Sequence, residues 1–425
     1  MYADIIVIGA GASGLMAARE LTKAGKKVLI LEARNRVGGR IFSLDEKEFG
    51  FPAEGGAEWV HGEAPVSKAL IKEAGLNLIP EDGEIWSMRD GRLDHYESFI
   101  MNNEELKEKL EALAEDVSIT EFLATHFSEE KYADLRNSII KMVEGYDAAD
   151  PHDISTLTLR EEWLSNVAQT QIMNDHRIKE GYSGVTQFLL KEIEKRGGVI
   201  HLESQVKMIE WKRGEVELHT ADGKIYAAQK VIITVPVSVL GNIEFKPALP
   251  EKLEAAMKIG FGNAIKILFK FKTRWWENGA GKDLSKMTFL LCNEEFMTWW
   301  TQYPVIDTTL TAWMAGPDAG KNKEKTDDEL TDMALTTIAR VLEIDKNKIK
   351  AELEVSRVLN WPADPFTRGS YSYTKVETGD AYEKLAEPVE DTLYFAGEAL
   401  FSGDITATVE GALASGKEVV AKILS

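Results

Sequence analysis

Three glycines near the start of the chain have the spacing of a phosphate-binding turn. Gly9, Gly11 and Gly14 form a Gly-x-Gly-x-x-Gly motif that contains Ser13, and Glu32 follows 18 residues after Gly14. Glycine lets the backbone turn tightly and approach a pyrophosphate, which binds the free N–H groups of a helix N-terminus. An acidic residue at this distance accepts hydrogen bonds from ribose hydroxyls. The motif therefore predicts a dinucleotide site.

A second glycine-rich run, residues 32–40, contains several guanidinium groups. Gly38 and Gly39 let the backbone come close to a ligand, and Arg40 brings a fixed charge to a phosphate. Arg34 belongs to the same run. A plain surface turn would have no use for so many arginines, so we expect Arg34, Gly39 and Arg40 to bind the cofactor.

Lys266 and a block of aromatic residues could act on a substrate. Lys266 lies in an otherwise apolar strand pattern, and a buried ammonium group is costly unless it is paired, hydrated or functional. The alternative is that Lys266 points outward on an alternating strand. Trp361 and Tyr371 offer aromatic faces, which attract ammonium groups but more often belong to a core. His61 is either a substrate contact or a bystander.

The elements that position these residues follow from hydrophobic periodicity and from Gly and Pro signals. Strands are predicted at 4–9, 28–31, within 200–218, and at 231–235, 264–271 and 392–396. Helices are predicted at 13–24, 327–343 and 408–424, with mostly helical structure at 101–145 and 160–188. The opening strand, turn, helix and second strand form one βαβ-type unit.

The chain is predicted to have an α/β fold with two interleaved domains. A length of 425 residues exceeds that of one ordinary domain, and the sequence contains no internal repeat or low-complexity linker. The first domain is Rossmann-like and binds the nucleotide cofactor through residues 1–78, 198–240 and 356–425. The second, a substrate domain of mixed sheet plus helices, comprises residues 79–197 and 241–355.

Composition excludes several classes of function. Seventy acidic against fifty basic residues give a net charge of −20, which disfavours the binding of nucleic acid. The charge either attracts cationic small molecules or serves solubility alone. One cysteine, Cys292, and seven scattered histidines predict neither a disulfide framework nor a metal site. No apolar run reaches the length of a membrane span, and a strand beginning at Asp4 leaves no room for a secretory signal. We therefore expect a cytoplasmic protein that does not bind membranes.

Along almost its whole length the sequence resembles the flavin-containing amine oxidases, which include monoamine oxidases, polyamine oxidases and histone lysine demethylases. Residues 32–40 resemble the family's second cofactor fingerprint, residues 55–62 a polyamine-oxidase segment beside the flavin, and residues 394–398 its C-terminal cofactor motif. The last helix begins where the family directs a helix N-terminus at the flavin pyrimidine edge. The resemblance implies FAD, and with the motifs it implies these cofactor residues: Gly9, Gly11, Ser13, Gly14, Glu32, Arg34, Gly39, Arg40, Trp59, Val206, Trp361, Glu398, Thr408 and Val409.

The resemblance also implies roles for residues that face the substrate. Lys266 matches a lysine that binds a water bridging to flavin N5, and Tyr371 an aromatic residue of the substrate channel. Thr408 replaces a second channel tyrosine of monoamine oxidases, which leans against that subgroup. Ser370 stands where monoamine oxidases have a cysteine linked to the flavin, so non-covalent FAD is predicted. The catalytic candidates are Lys266, Tyr371, Trp361, His61 and Thr408.

The implied reaction is oxidation of a polyamine or another primary or secondary amine to an imine, which water hydrolyses to a carbonyl. The implied partners are the amine and O2, which is reduced to hydrogen peroxide. An L-amino-acid oxidase, another flavin oxidoreductase and a non-enzymatic flavoprotein are the alternatives. Acidic residues for a cationic substrate could come from 81–84 or 161–162, and the sequence leaves their position and the oligomeric state open.

Overall fold

The computed structural model describes residues 2–89, 91–96, 103–164, 175–401 and 406–425. The α-helices are α1 Ala12–Lys23, α2 Glu46–Phe49, α3 Pro65–Ala74, α4 Glu104–Glu111, α5 Ile119–His126, α6 Ala133–Tyr146, α7 Thr156–Leu164, α8 Ser183–Lys195, α9 Val237–Leu240, α10 Pro250–Lys258, α11 Pro317–Asn322, α12 Asp327–Val341, α13 Lys346–Glu352, α14 Ala381–Ala386 and α15 Val409–Leu424. The strands are β1 Tyr2–Ile8, β2 Val28–Leu31, β3 Leu78–Pro80, β4 Glu84–Arg89, β5 Arg92–His95, β6 His176–Ile178, β7 Val199–His201, β8 Val206–Lys212, β9 Glu215–Thr220, β10 Ile225–Ile233, β11 Glu244–Lys246, β12 Gly260–Phe261, β13 Ala264–Phe271, β14 Met287–Cys292, β15 Thr298–Thr301, β16 Thr309–Ala315, β17 Leu353–Asn360, β18 Ser372–Tyr373 and β19 Leu393–Phe395.

The first large sheet carries the N-terminal glycine motif. Its order is β11-β8-β9-β10-β1-β2-β7, and β19 pairs with the end of β10. The central strands β10, β1, β2 and β7 are parallel, and helices α1, α3, α8 and α15 cover one face while α10 and α14 pack against the other. Strands buried on both faces read as continuous apolar runs, which is why β1 and β2 were recognisable in the sequence.

The second large sheet has the order β17-β13-β16-β15-β14-β4-β5 and is antiparallel except where β4 meets β14. Helix α12 packs its apolar residues, Leu330, Ala334, Leu335 and Ile338, into the core of this sheet. Helices α4 to α7 form a separate apolar cluster. The second sheet, helix α12 and helices α4 to α7 thus form cores of their own, distinct from the core around the glycine motif.

The α/β fold class predicted from the sequence is confirmed. The predicted elements at 28–31, 264–271, 327–343 and 408–424 agree with the structure to within two residues at each end. The expectation that 160–188 is mostly helical is wrong in part, because β6 lies between α7 and α8 and pairs with β3. This pairing joins segments about a hundred residues apart, which local periodicity does not reveal. Residues 165–174 lie outside the described part of the chain.

The two sheets draw on different segments. The first takes strands from residues 2–31, 199–246 and 393–395, and the second from residues 84–95, 264–315 and 353–360. We propose the two-domain division on this basis, with α8 assigned to the first domain because it packs on α1. Among the residues described, no helix is both long and apolar enough to cross a bilayer.

Candidate active site

A continuous cavity of about 1320 Å³ connects the N-terminal glycine turn with helices α6 and α7. This volume exceeds the roughly 300–1,000 Å³ of an ordinary small-molecule pocket. Every site residue predicted from the sequence lines the cavity except Gly14. Residues scattered over more than 400 positions are therefore brought to one continuous surface.

The glycine turn forms a cradle at the N-terminus of α1. Gly9 has φ +102°, and a Cβ on Gly14 would lie 2.0 Å from the Gly9 oxygen, so Gly14 serves close packing between turn and helix. Gly11 is the N-cap without a side-chain cap, and a Cβ on it would meet only the Gly38 oxygen, at 4.0 Å. The Ser13 hydroxyl is buried without a hydrogen-bond partner in the described chain. Open N–H groups, this hydroxyl and the helix dipole fit a pyrophosphate.

Glu32 is held rigidly at the end of β2. One carboxylate oxygen accepts the Ala10 N–H at 2.7 Å and the other accepts the Arg34 N–H at 2.8 Å. A carboxylate has about four acceptor positions, so both oxygens retain capacity for ribose hydroxyls. Val206, at the start of β8, lines the same cavity. This end of the cavity fits the adenosine half of a dinucleotide.

The arginines of the second glycine-rich run bind carboxylates on distant segments. Arg34 donates to both oxygens of Asp364 at 2.7 Å, and Arg40 donates to Glu398 at 2.9 Å and to the Ser370 carbonyl at 2.7 Å. Arg34 therefore reaches the cavity with its charge already neutralised. The run is tied to residues 364–398, and Arg40 and Glu398, both predicted from motifs, meet as one ion pair.

Lys266 is buried, with 1% of its surface exposed, so the expectation of an outward-facing alternative is wrong. Strand β13 lies between β16 and β17 and is covered on both faces, which leaves no solvent side for a lysine. The Lys266 ammonium donates to Glu58 at 2.7 Å and lies 3.3 Å from the Gly56 carbonyl. Glu58 also accepts from Arg177 at 2.9 Å and from the Trp300 indole at 3.0 Å.

Sequence reasoning missed Glu58, which lines the cavity, and Arg177, which forms an ion pair with it. Glu58 stands directly before Trp59, inside the segment that the resemblance singled out. A lysine in a fully apolar strand itself implies a buried carboxylate nearby, because an unpaired charge is costly there. That signal pointed to an acid without saying which of the 70 acidic residues it is.

Hydrogen bonds fix the aromatic walls of the cavity. The Trp361 indole donates to the Gly55 carbonyl at 3.2 Å, and the Tyr371 hydroxyl donates to the Tyr146 carbonyl at 2.6 Å. Trp59 donates to Glu81 at 3.2 Å. Each ring is thus held in one orientation, and the Arg177 guanidinium lies 4.9 Å from the centre of the Trp59 ring.

Carboxyl groups lie on the cavity wall at helices α6 and α7. Burial raises the pKa of Asp147 well above its usual value, with the Glu162 charge adding to the effect, and burial raises the pKa of Glu162 to about 7. One Asp147 oxygen is buried without a hydrogen-bond partner in the described chain. Asp175 is 2.8 Å from His61 Nδ1. Glu81, Glu161 and Glu162, from the acidic runs noted in the sequence, also line the cavity.

Helix α15 presents its N-terminus to the cavity. Thr408 is the N-cap and accepts the Gly411 N–H at 3.1 Å, while Val409 begins the helix. Glu410, in the first turn, is turned away and accepts hydrogen bonds from the Val66 and Ser67 N–H groups of α3. The positive end of the helix dipole therefore faces the cavity, and it would stabilise an anionic group bound there.

A profile of the flavin containing amine oxidoreductase family matches residues 12–424. Polyamine oxidase 2 of Arabidopsis thaliana is 31% identical over 97% of this chain and 86% of its own length. Lysine-specific histone demethylase 2 of Homo sapiens is 28% identical over 99% of this chain, which spans 53% of the human protein. This chain thus covers about half the length of that relative.

Solved structures share the fold. Putrescine oxidase bound to putrescine superposes with a TM-score of 0.82 at 22% identity, covering 100% of this chain and 99% of that one. Cyclohexylamine oxidase from Brevibacterium oxydans gives 0.81 at 21% identity, covering 99% and 98%. The chain belongs to the flavin-containing amine oxidoreductase family, whose cofactor is FAD.

Proposed function

We propose that this protein uses non-covalent FAD to oxidise an amine that carries a second positive charge, such as a diamine or polyamine. The CH–NH unit of the substrate loses two electrons and two protons and becomes an imine. Water then hydrolyses the imine to a carbonyl compound and an amine. O2 takes up the two electrons and two protons and leaves as hydrogen peroxide. The relatives named polyamine oxidase and putrescine oxidase are consistent with this substrate class.

The observation that carries the proposal is the set of carboxyl groups on the cavity wall. Asp147, Glu162 and Asp175 share one cavity with the cofactor cradle and Lys266. A cationic group entering between Asp147 and Glu162 would relieve their mutual repulsion and favour their ionised forms. The far end of a diamine supplies such a group, and a simple monoamine does not.

The protein's residues bind and orient, while the flavin, when bound, supplies the two-electron oxidation. The α1 cradle and Glu32 would hold the dinucleotide half, and the N-terminus of α15, with Thr408 and Val409, the flavin end. Tyr371 and Trp361 would guide the amine. Burial in this aromatic region favours an unprotonated amine at the reacting end, so that no dedicated base is required.

An L-amino-acid oxidase is less well supported, because its substrate carboxylate needs an available cation. Cations that line the cavity are already paired: Arg34 with Asp364, Arg40 with Glu398, Lys141 with Glu144, and Lys266 with Glu58. Arg89 stacks on Tyr96. The cavity thus favours an amine without a carboxylate. Absence of nucleic-acid and membrane partners and a cytoplasmic location stay predictions.

Anaerobic titration of the purified flavoprotein tests the function. We expect diamines and polyamines to bleach the flavin at lower concentration than monoamines of matched length, and L-amino acids to leave it oxidised. Admission of O2 should restore the yellow colour with one hydrogen peroxide per flavin. A flavin that no amine reduces would indicate a non-enzymatic flavoprotein, and bleaching by amino acids alone would favour the oxidase alternative.

A further inference from the structure

A buried network of four charged side chains and one indole adjoins the cavity, and every member except Arg177 lines it. The Glu58 network consists of Glu58, Lys266 on β13, Arg177 on β6, Glu81 after β3 and Trp300 on β15. Its members come from separate segments that converge on the Glu58 carboxylate. Lys266 and Glu58 each have 2% of the side chain exposed, so this ion pair is shielded from water.

The Glu58 carboxylate is the centre of the network. One oxygen is 2.7 Å from the Lys266 ammonium and the other 2.9 Å from Arg177 Nε, and the Trp300 indole donates to the carboxylate as well. Burial acts to raise the pKa of Glu58, but Lys266 and Arg177 outweigh it and hold that pKa below its usual value. Glu58 is therefore a stable anion between two cations.

Among the described charged groups that face this ion pair, Glu58 is the ionised partner of Lys266. Arg177 has a second carboxylate, Glu81, at 3.0 Å. Glu54 lies close enough to feel the Lys266 charge, but burial raises the pKa of Glu54 to about 8, so that it is neutral at pH 7. Lys266 has one further recorded acceptor, the Gly56 carbonyl. The ammonium also lies 5.1 Å from the centre of the Trp300 ring, and both residues line the cavity, so its positive charge is held at the cavity wall.

We propose that Glu58 is a positioning residue that keeps Lys266 protonated and aimed into the cavity, so that Lys266 acts as a fixed positive charge beside the flavin and not as a proton acceptor. This inference rests on the proposed function, because Lys266 lines the same cavity as the N-terminus of α15, where the flavin end is proposed to bind. A carboxylate in contact with a buried ammonium favours its charged form. A preorganised positive charge in a water-poor site stabilises negative charge that develops during electron transfer.

The test compares the pH dependence of two properties of the FAD-loaded protein: the midpoint potential of the flavin, and the rate at which O2 reoxidises the chemically reduced flavin. All proteins compared, including the one with Glu58 intact, carry Glu54→Gln, which removes the Glu54 ionisation near pH 8. With Glu58 intact, neither the potential nor the reoxidation rate should show a pH-dependent step caused by Lys266. Glu58→Gln leaves a buried ammonium without its counter-ion, so a new ionisation should appear, with reoxidation falling about tenfold or more above it.

Double variants show whether the effect passes through Lys266. Adding Lys266→Arg to Glu58→Gln should abolish the new ionisation, because a guanidinium does not lose its proton in this range. Adding Lys266→Met should abolish it as well, with reoxidation slow at every pH. The matched control is Asp307→Asn, which removes the carboxylate 2.9 Å from Lys270 on the same strand, outside the cavity lining, and should leave both profiles unchanged.

Two results would overturn the inference: no new ionisation in Glu58→Gln, or the same ionisation when Lys266 is arginine or methionine. If Glu58→Gln fails to retain FAD, Glu58→Asp takes its place. A shortened carboxylate should produce a weaker version of the same Lys266-dependent ionisation, and an unchanged profile contradicts the inference. A wild-type flavin that no amine reduces would disprove the proposed function, while the midpoint potentials would still test Glu58.

Discussion

The hydroxyl of Ser370 lies buried at the cavity wall without a hydrogen-bond partner in the described chain. A serine hydroxyl forms no thioether with a flavin. The Cys292 thiol also lines the cavity, but it donates to the Phe296 carbonyl, and burial raises its pKa to about 12, so it is not a reactive thiolate. We therefore predict that FAD is bound without a covalent link. Acid precipitation should release all of the yellow chromophore into the supernatant. Flavin that stays with the denatured chain would contradict the prediction.

Asp147 and Glu162 give a prediction about substrate preference. Asp147→Asn or Glu162→Gln should lower kcat/KM for a diamine about ten- to a hundredfold, the worth of one charge-assisted contact of roughly 1.5–3 kcal/mol, with little effect on a matched monoamine. The pKa of Glu162 is raised to about 7. Below that pH the carboxyl is neutral, so the ratio of diamine to monoamine kcat/KM should rise with pH through about 7.

This ratio is the quantity to measure, because ionisation of the reacting amine affects both substrates alike. In Glu162→Gln the rise of this ratio near pH 7 should disappear. Glu108→Gln is the matched control, since Glu108 is an exposed residue of α4 outside the cavity lining, and its substitution should leave the ratio unchanged. Equal losses for both substrates would indicate that the carboxyl groups support the fold and not the second cation.

Glu54 links stability to pH. Burial raises the pKa of Glu54 from 4.5 to about 8 in the folded protein, whereas the unfolded chain keeps the ordinary value. The folded state therefore binds the proton more tightly. The stability from this group is complete below pH 4.5 and is lost as pH rises through about 8. Each pKa unit is worth about 1.4 kcal/mol, so the loss amounts to a few kcal/mol.

Glu54→Gln removes this titration and keeps an oxygen to accept the Tyr182 N–H. We expect the free energy of unfolding, measured by denaturant titration from pH 5 to about 9, to fall less steeply with pH in the variant than in the wild type. The same slope in both proteins would mean that other groups cause the pH dependence.

At the scale of elements, the turn before α1 separates packing from ligand binding. Gly14→Ala places a Cβ 2.0 Å from the Gly9 oxygen, so it should lower the Tm and abolish FAD binding. Gly11 has φ −76° and open space around its Cβ position, so Gly11→Ala should keep the Tm of the FAD-free protein within a few degrees and still lose FAD. Gly241→Ala, with φ −65° and no neighbour within 4 Å, is the control for both.

Thermal unfolding of FAD-free protein and the flavin content of purified protein measure the two effects. If Gly11→Ala bound FAD normally, the space above the turn would not be the phosphate position.

The elements that carry this cradle were predictable from sequence, because β1, α1 and β2 are consecutive. By contrast, β6 was not, since its three residues become a strand only through β3.

At the scale of the whole molecule, the net charge of −20 should act on encounter with substrate. An acidic surface attracts cations over a distance set by the Debye length, about 10 Å at 0.1 M salt. We therefore expect kcat/KM for diamines and polyamines to fall more steeply with ionic strength than kcat/KM for a monoamine of similar bulk, with kcat little affected. Parallel slopes in a salt series would assign the acidic surface to solubility alone.

Local sequence is enough to predict the glycine cradle and the fold class. Gly9, Gly11, Gly14 and Glu32 lie within 24 residues, and a strand, a turn and a helix that follow one another are fixed by local backbone and hydrophobic preferences. The motifs around Lys266, Trp361 and Glu398 predicted further residues through the family they resemble, and these three line the cavity.

The pairs of charges that meet became known from the folded structure. Lys266 and Glu58 are 208 positions apart, Arg34 and Asp364 are 330 apart, and Arg177 joins Glu58 across 119. No local pattern selects these partners from 70 acidic residues, because pairing depends on how the sheets and loops pack. The same packing removes water from Asp147 and Glu162 and so raises the pKa of each. Burial is a property of the assembled fold, and for this reason the charge state of the cavity could not be read from the chain alone.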